Sequence, residues 1–162
     1  LLNLFAYTCS FSVHAAKAGG VFTKSVDMSN TYTKWGVDNF ILNQIPLENH
    51  EIVRADCLKF LDSEIKHGIA YDIIVIDPPT ISRSKKMDQL FDVHIDYVTL
   101  ISKALKLLAK DGFIFFSTNS RKFVFDSSHF KDCKVVDITH KTLPEDFHDK
   151  KIHRSFIIRA DV

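Results

Sequence analysis

Tyr71-Asp72-Ile73-Ile74-Val75-Ile76-Asp77-Pro78-Pro79 is the stretch that decides the fold. Residues 73–76 are all β-branched and apolar, so they cannot alternate between a wet and a dry face. A run of this kind predicts a strand covered on both faces, as in a parallel sheet flanked by helices. Pro78-Pro79 stops it, since neither ring nitrogen can donate to a ladder. Outward from this strand, short apolar runs alternate with longer stretches of helical spacing. Residues 1–5, 22–27, 51–55 and 113–117 read as companion strands, and 11–17, 30–42, 57–66 and 93–108 as helices. Gly19-Gly20 and Gly112 end two of those helices. A short helix is expected over 127–130, then two more strands at 134–139 and 152–159 with no helical pattern between them. Strand–helix alternation implies right-handed crossovers, and the tail implies antiparallel pairing. The expected fold is α/β, a doubly wound, Rossmann-like sheet of seven strands, mostly parallel, with an antiparallel strand at its C-terminal edge.

The 162 residues suit one domain, and 46% hydrophobic with 25% charged residues excludes intrinsic disorder. Lys plus Arg number 21 and Asp plus Glu 20, so net charge gives no evidence for a broad anion-binding surface. No apolar run approaches the ~18–20 residues that span a bilayer, and no signal-peptide pattern leads the chain. Cys9, Cys57 and Cys133 form no Cys-x-x-Cys pair, which argues against a disulfide framework or zinc ribbon and for a reduced, cytoplasmic compartment. His140, His148 and His153 are irregularly spaced, and no metal site is expected from them. The chain starts without Met directly on an apolar strand, so residues 1–162 are expected to be one catalytic domain from a longer protein.

In a doubly wound sheet the ligand lies over the carboxyl ends of the strands, where the strand order reverses. Asp27, Asp56 and Asp77 each close a strand there. Asp27 stands about twenty residues past the first strand, where such sheets place an acid for ribose hydroxyls, and Asp56 could accept from an adenine amino group. Both positions also suit helix N-caps. The loop Ala6-Tyr7-Thr8-Cys9-Ser10-Phe11-Ser12 contains no glycine, which argues against a dinucleotide, and no Gly-Lys-Ser/Thr marks a P-loop. A cofactor with adenosine but no phosphates fits better, and S-adenosylmethionine is such a cofactor. By position the candidate cofactor residues are Phe5, Tyr7, Thr8, Ser10, Asp27, Met28, Asp56, Cys57 and Asp77. Tyr32, Trp35 and most of the 14 Phe read as core, with Tyr7 the aromatic assigned to the cofactor loop.

Leu2-Asn3-Leu4-Phe5-Ala6-Tyr7-Thr8, Val26-Asp27-Met28-Ser29 and Ile76-Asp77-Pro78-Pro79-Thr80 resemble class I methyltransferases that act on large-subunit ribosomal RNA. Within that family, Phe91-Asp92-Val93, Lys141-Thr142-Leu143-Pro144-Glu145-Asp146-Phe147 and Lys151-Ile152-His153 look like the C-terminal domain of its bifunctional guanine methyltransferases. The resemblance spans nearly the whole chain and implies methylation of guanine N7. The family's strand-one loop normally carries Gly where this chain has Cys9, a side chain expected to crowd the methionine end of the cofactor. His94 and Ile95 replace a Gln-Arg pair usual after Phe-Asp-Val, and the family's upstream segments are missing.

Residue chemistry narrows the target atom. Methylating cytosine C5 needs a thiolate after strand four or five, and Pro78-Pro79-Thr80 and Ser117-Thr118-Asn119 offer none. Exocyclic amines are usually met by an aromatic after Pro-Pro, where this chain has Thr80 and Ile81. Guanine N7 attacks with an in-plane lone pair and needs no base, only positioning. Asp77, Pro78 and Pro79 are therefore the candidate catalytic residues, with Asp77 orienting the guanine. Arg83, Lys85 and Lys86 in the following loop, with Asn119 and Arg121 after strand five, are the candidate contacts to ribosomal RNA. Open alternatives are another RNA base, cytosine C5 or guanine N2, and a degenerate, non-catalytic binding module.

Overall fold

The computed structural model describes residues 1–82, 90–149 and 152–161. In chain order they form β1 (Leu2–Leu4), α1 (Ser10–Lys17), β2 (Thr23–Asp27), α2 (Asn30–Leu42), β3 (His50–Arg54), α3 (Cys57–His67) and β4 (Tyr71–Ile76). There follow β5 (Ile81–Ser82), β6 (Phe91–Asp92), α4 (Val93–Leu105), β7 (Leu108–Thr118), β8 (Cys133–Asp137) and β9 (Arg154–Ala160). Seven strands make one sheet in the order β3-β2-β1-β4-β7-β9-β8. β1, β2, β3, β4 and β7 are mutually parallel, while β9 runs antiparallel to both β7 and β8. The C-terminal strand is thus the antiparallel one, and it lies one place in from the edge, with β8 outside it. The short β5–β6 pair, which joins Ile81 to Asp92, carries no sequence signal of its own.

Helix boundaries follow from local chemistry. The Ser29 hydroxyl accepts from Tyr32 N–H at the start of α2, and Asp56 accepts from Leu58 and Lys59 N–H at the start of α3. Asp92 does the same for α4 through His94 N–H. Gly68 ends α3 at φ 67°, a left-handed conformation that a β-carbon would oppose. The helices cover both faces of the sheet: α1 packs with α2, and α3 with α4. Beneath α3 and α4 lies the larger core, built on Leu2, Leu4, Ile74, Ile76, Ile114 and Phe116. Phe116, Phe123, Phe125, Phe156 and Tyr97 extend it as one connected aromatic cluster. The α1–α2 core is smaller, formed by Ala6, Cys9, Val13 and Phe40.

Two strand positions on the α1 side are polar and buried. Asn3 Nδ2 donates to Ser12 Oγ at 3.1 Å, and Ser12 Oγ lies 2.7 Å from Ser25 Oγ, so α1 is hydrogen-bonded to the sheet as well as packed on it. At the opposite, amino-terminal end of the sheet, Lys24 pairs with the buried Glu64, which also accepts from the Tyr71 hydroxyl.

His50 opens β3 with 9% of its surface exposed, its Nδ1 3.0 Å from Thr23 Oγ1 and its ring against Phe40. Burial lowers its pKa from the ordinary 6.5. The folded state therefore resists taking up this proton, and the unfolded chain accepts it more readily. The contribution is fully present above about pH 6.5 and is lost as pH falls through the lowered value. The urea midpoint of the chain is expected to drop between about pH 7 and pH 5, and His50→Gln to remove that part of the drop. A midpoint with the same pH dependence in both chains would show that His50 carries none of it.

Candidate functional site

The strand order reverses between β1 and β4, and a cavity of about 720 Å³ opens over their carboxyl ends. Such a volume suits a cofactor-sized molecule. Its wall comes from Phe5 and Tyr7 after β1, Asp27, Met28 and Ser29 at the end of β2, and Ala55, Asp56, Cys57 and Leu58 after β3. Asp77, Pro78 and Pro79 after β4, Asn119 after β7, and Tyr32, Ile81, Ser82 and Phe91 complete it.

The loop after β1 is shaped by backbone rather than by glycine. Phe5, Tyr7 and Cys9 all have positive φ, at 56°, 50° and 61°. Such conformations are disfavoured for side-chain-bearing residues and persist only where surrounding contacts hold them. Those contacts are visible. Phe5 N–H donates to Cys57 Sγ (3.3 Å), Ala6 N–H to Val26 O (3.0 Å) and Tyr7 N–H to Asp27 Oδ2 (3.0 Å). Cys9 N–H closes the loop onto Ala6 O at 2.7 Å.

Asp27 is not the cap of α2; that is Ser29. Its Oδ1 instead accepts from Ser29 N–H at 2.8 Å, so the carboxylate ties the β1 loop to the end of β2. Each carboxylate oxygen has a second lone pair, so two acceptor positions are left for a ligand. Asp56 does cap its helix through Oδ1 and lines the cavity as well. Asp77 is held by Ser117, whose Oγ donates to Asp77 Oδ1 at 2.6 Å. Thr80 Oγ1 donates to Asn119 Oδ1 at 2.9 Å, pinning the turn after Pro78-Pro79 to the end of β7.

Of the residues chosen from sequence, Phe5, Tyr7, Asp27, Met28, Asp56, Cys57, Asp77, Pro78, Pro79 and Asn119 come together in the cavity. Thr8 and Ser10 do not line it: the Thr8 carbonyl accepts from Asn39 Nδ2, and Ser10 begins α1. Arg121 stands away from the cavity in an ion pair with Asp149 at 2.7 Å. Arg83, Lys85 and Lys86 lie outside the described residues. Ser117 and Thr80 were missed, because their bonds join points 40 and 39 residues apart that only the sheet brings together.

Two expectations are corrected. Tyr32 and Trp35 are not core; they are 37% and 46% exposed, and Tyr32 reaches the cavity. Tyr32 meets Tyr7 edge-on at 4.6 Å and lies 5.8 Å from Trp35. The buried side of α2 is the one marked by Gly36 and Phe40. Cys9 does not crowd the cavity either. Its thiol packs under α2, where a β-carbon at position 36 would lie 2.5 Å from the sulfur, so Gly36 supplies the room that Cys9 fills.

The thiols are chemically quiet. Cys57 is buried, and desolvation raises its pKa far above the usual thiol range; its Sγ also donates to Val26 O. Burial raises Cys9 and Cys133 as well. Among the described residues no His, Cys, Asp and Glu gather into a metal-holding group, and no helix is long and apolar enough to cross a membrane.

An acid at the end of the second strand, a tethered Asp-Pro-Pro after the fourth and a cavity at the point of strand reversal make the ligand site of a nucleoside-binding, doubly wound sheet. Residues 1–128 match the S-adenosylmethionine-dependent methyltransferase family, and the chain belongs to it. It is 48% identical over 158 residues to ribosomal RNA large subunit methyltransferase K of Neisseria meningitidis serogroup B, covering 98% of this chain and 45% of that protein. It is 45% identical over 162 residues to ribosomal RNA large subunit methyltransferase K/L of Shewanella sp. strain MR-4, covering 98% of this chain and 23% of that protein. The chain therefore spans less than half the length of these relatives. Among solved structures it resembles SMU.776 complexed with SAH, at TM-score 0.81 and 30% identity over 97% of this chain and 44% of that one. An S-adenosylmethionine-dependent methyltransferase from Agrobacterium tumefaciens shares the fold at TM-score 0.77 and 22% identity, over 98% of this chain and 54% of that one.

Proposed function

We propose that this chain transfers a methyl group from S-adenosylmethionine to a base of large-subunit ribosomal RNA, and that the acceptor atom is guanine N7. The observation that carries the reading is Asp77, fixed by Ser117 beside Pro78-Pro79 in the same cavity as Asp27. The names of the Neisseria and Shewanella relatives support the RNA substrate. A ribosomal substrate implies a cytoplasmic protein.

Bound S-adenosylmethionine supplies an electrophilic methyl on a positively charged sulfur. In this reading Asp27 would accept from the ribose hydroxyls, Met28 and Leu58 would supply an apolar wall for the adenine, and Asp56 would accept from its amino group. Asp77 has Oδ1 taken by Ser117, leaving Oδ2 for the N–H edge of guanine. Holding that edge fixes the ring plane, and with it the line along which N7 meets the methyl carbon. Methylation would leave positive charge on the base, where the Asp77 carboxylate would stabilise it. No proton leaves N7, so no general base is required. Cytosine C5 chemistry is disfavoured further by Cys57, the cavity's thiol, which burial keeps protonated.

The test is nucleoside analysis by mass spectrometry after incubation with S-adenosylmethionine and unmodified large-subunit RNA. The expected product is 7-methylguanosine. 5-Methylcytidine or N2-methylguanosine would replace the N7 assignment, and methyl transfer to no RNA base would defeat the reading.

A further inference from the structure

We infer that a second cavity on the same rim of the sheet, built around Arg154, binds a phosphate of the substrate RNA next to the reacting nucleotide. This inference rests on the RNA reading above. The cavity measures about 550 Å³ and is lined by Asp137, Thr139, His140, Leu143 and Arg154. Its placement follows from topology. Asp77 follows β4, Thr118 ends β7, and Arg154, the first residue of β9, pairs with Thr118. β8 runs in the same direction as β7, so Asp137 also ends its strand on this rim. Adjacent strands lie about 4.8 Å apart, so Arg154 stands two strands, roughly 10 Å, along the rim from Asp77. That is a distance at which a phosphate flanking a base held at Asp77 can be reached.

The chemistry points to an anion. Among the described residues, Arg154 Nε is a buried side-chain nitrogen with no hydrogen-bond partner. That atom is shut off from ligand as well as from water, so an anion would be held by the terminal nitrogens of Arg154, which is only half-buried and lines the cavity, as a fork onto phosphate oxygens. His140 adds a donor on the same wall. Among the described residues Asp137 is the one acid in the lining, and its Oδ1 is occupied by Thr139 N–H at 2.8 Å.

The wall is rigid before any ligand arrives. Thr142 Oγ1 lies 2.9 Å from His153 Nε2 and 2.6 Å from Ser155 Oγ, and Ser155 N–H donates to Thr139 Oγ1 at 3.1 Å. These bonds fasten the 139–142 turn to the start of β9. An anion therefore meets a formed site rather than a mobile loop.

The experiment is fluorescence anisotropy of a labelled single-stranded large-subunit RNA fragment titrated with the SAH-saturated chain over a salt series. Arg154→Gln is expected to weaken binding about 10-fold and to reduce the slope of log affinity against log salt by about 0.7, one single-strand phosphate contact. Its affinity for SAH should match the wild type, which also certifies its fold. Arg154→Lys restores the slope but not the full affinity, because the charge returns without the fork. This conservative variant keeps the question answerable if Arg154→Gln fails to fold. Inorganic phosphate should compete with RNA on the wild type and less on Arg154→Gln. Unchanged slope and affinity in Arg154→Gln, with the wild type binding RNA, would overturn the phosphate site alone. A wild type that binds SAH but no RNA would remove the RNA reading and this site together.

Discussion

Asp77→Ala is expected to lower turnover by about 10²–10³-fold, the size of effect seen when a preorganised electrostatic partner of a transition state is removed. Its affinity for SAH should fall far less, because the proposed function uses the carboxylate on the base, although Asp77 also stands among the candidate cofactor residues. The distinction is measurable: single-turnover methyl transfer reports the chemistry, and calorimetric titration of SAH reports the cofactor site. Equal losses in both would contradict the role and make Asp77 part of the cofactor's binding wall. Asp77→Asn is the informative companion: the amide oxygen keeps the size and the Ser117 contact, but its NH2 then faces the guanine N–H edge, so both the charge and the acceptor for the base are lost. Turnover near that of Asp77→Ala is expected; turnover near wild type would refute the role of Asp77 in orienting the base.

Asp27→Ala should abolish measurable SAH binding, with a loss of about 10²-fold or more. Two causes act together. The carboxylate's free lone pairs are the assigned acceptors for two ribose hydroxyls, and hydrogen bonds to a charged group contribute about 1.5–3 kcal/mol each. The same carboxylate anchors Tyr7 N–H and Ser29 N–H, so its removal also releases a loop held at positive φ. The chain should remain folded, because β2 keeps its pairing with both β1 and β3. Binding within threefold of wild type by calorimetry would refute the assignment.

Much of this site could be read from the residues, and the limits of that reading have physical causes. The apolar run at 73–76 and the alternation around it were enough for a doubly wound sheet, since few arrangements bury such a strand on both faces. The acids at 27, 56 and 77 were legible because strand ends in this fold converge on one place. The face of α2 was not. Tyr32 and Trp35 share a side by periodicity, but periodicity does not say which side turns inward, and aromatic character suggested burial where Gly36 and Phe40 supply it. Cys9 was misread for a related reason: the loop's strand-side neighbours are adjacent in sequence, whereas Gly36, whose missing side chain admits the thiol, lies 27 residues further on. The Ser117–Asp77 bond and the insertion of β9 between β7 and β8 depend on lateral strand order, which local patterns do not encode.

That insertion has a consequence for the chain's assembly. β8's neighbour in the sheet is β9, and β9 is also what covers the open edge of β7. During synthesis β8 emerges earlier but has nothing to lie against until residues 154–160 follow it. The rim carrying Thr118 and Arg154 is therefore closed by a pairing between residues 36 positions apart, Thr118↔Arg154. Non-local closures of this kind are slow compared with helix formation and leave a strand edge available to other chains in the meantime. The strands whose ends form the cavity, β1 to β4 and β7, pair with one another without β9, so the cavity does not depend on the closure that shapes the outer rim.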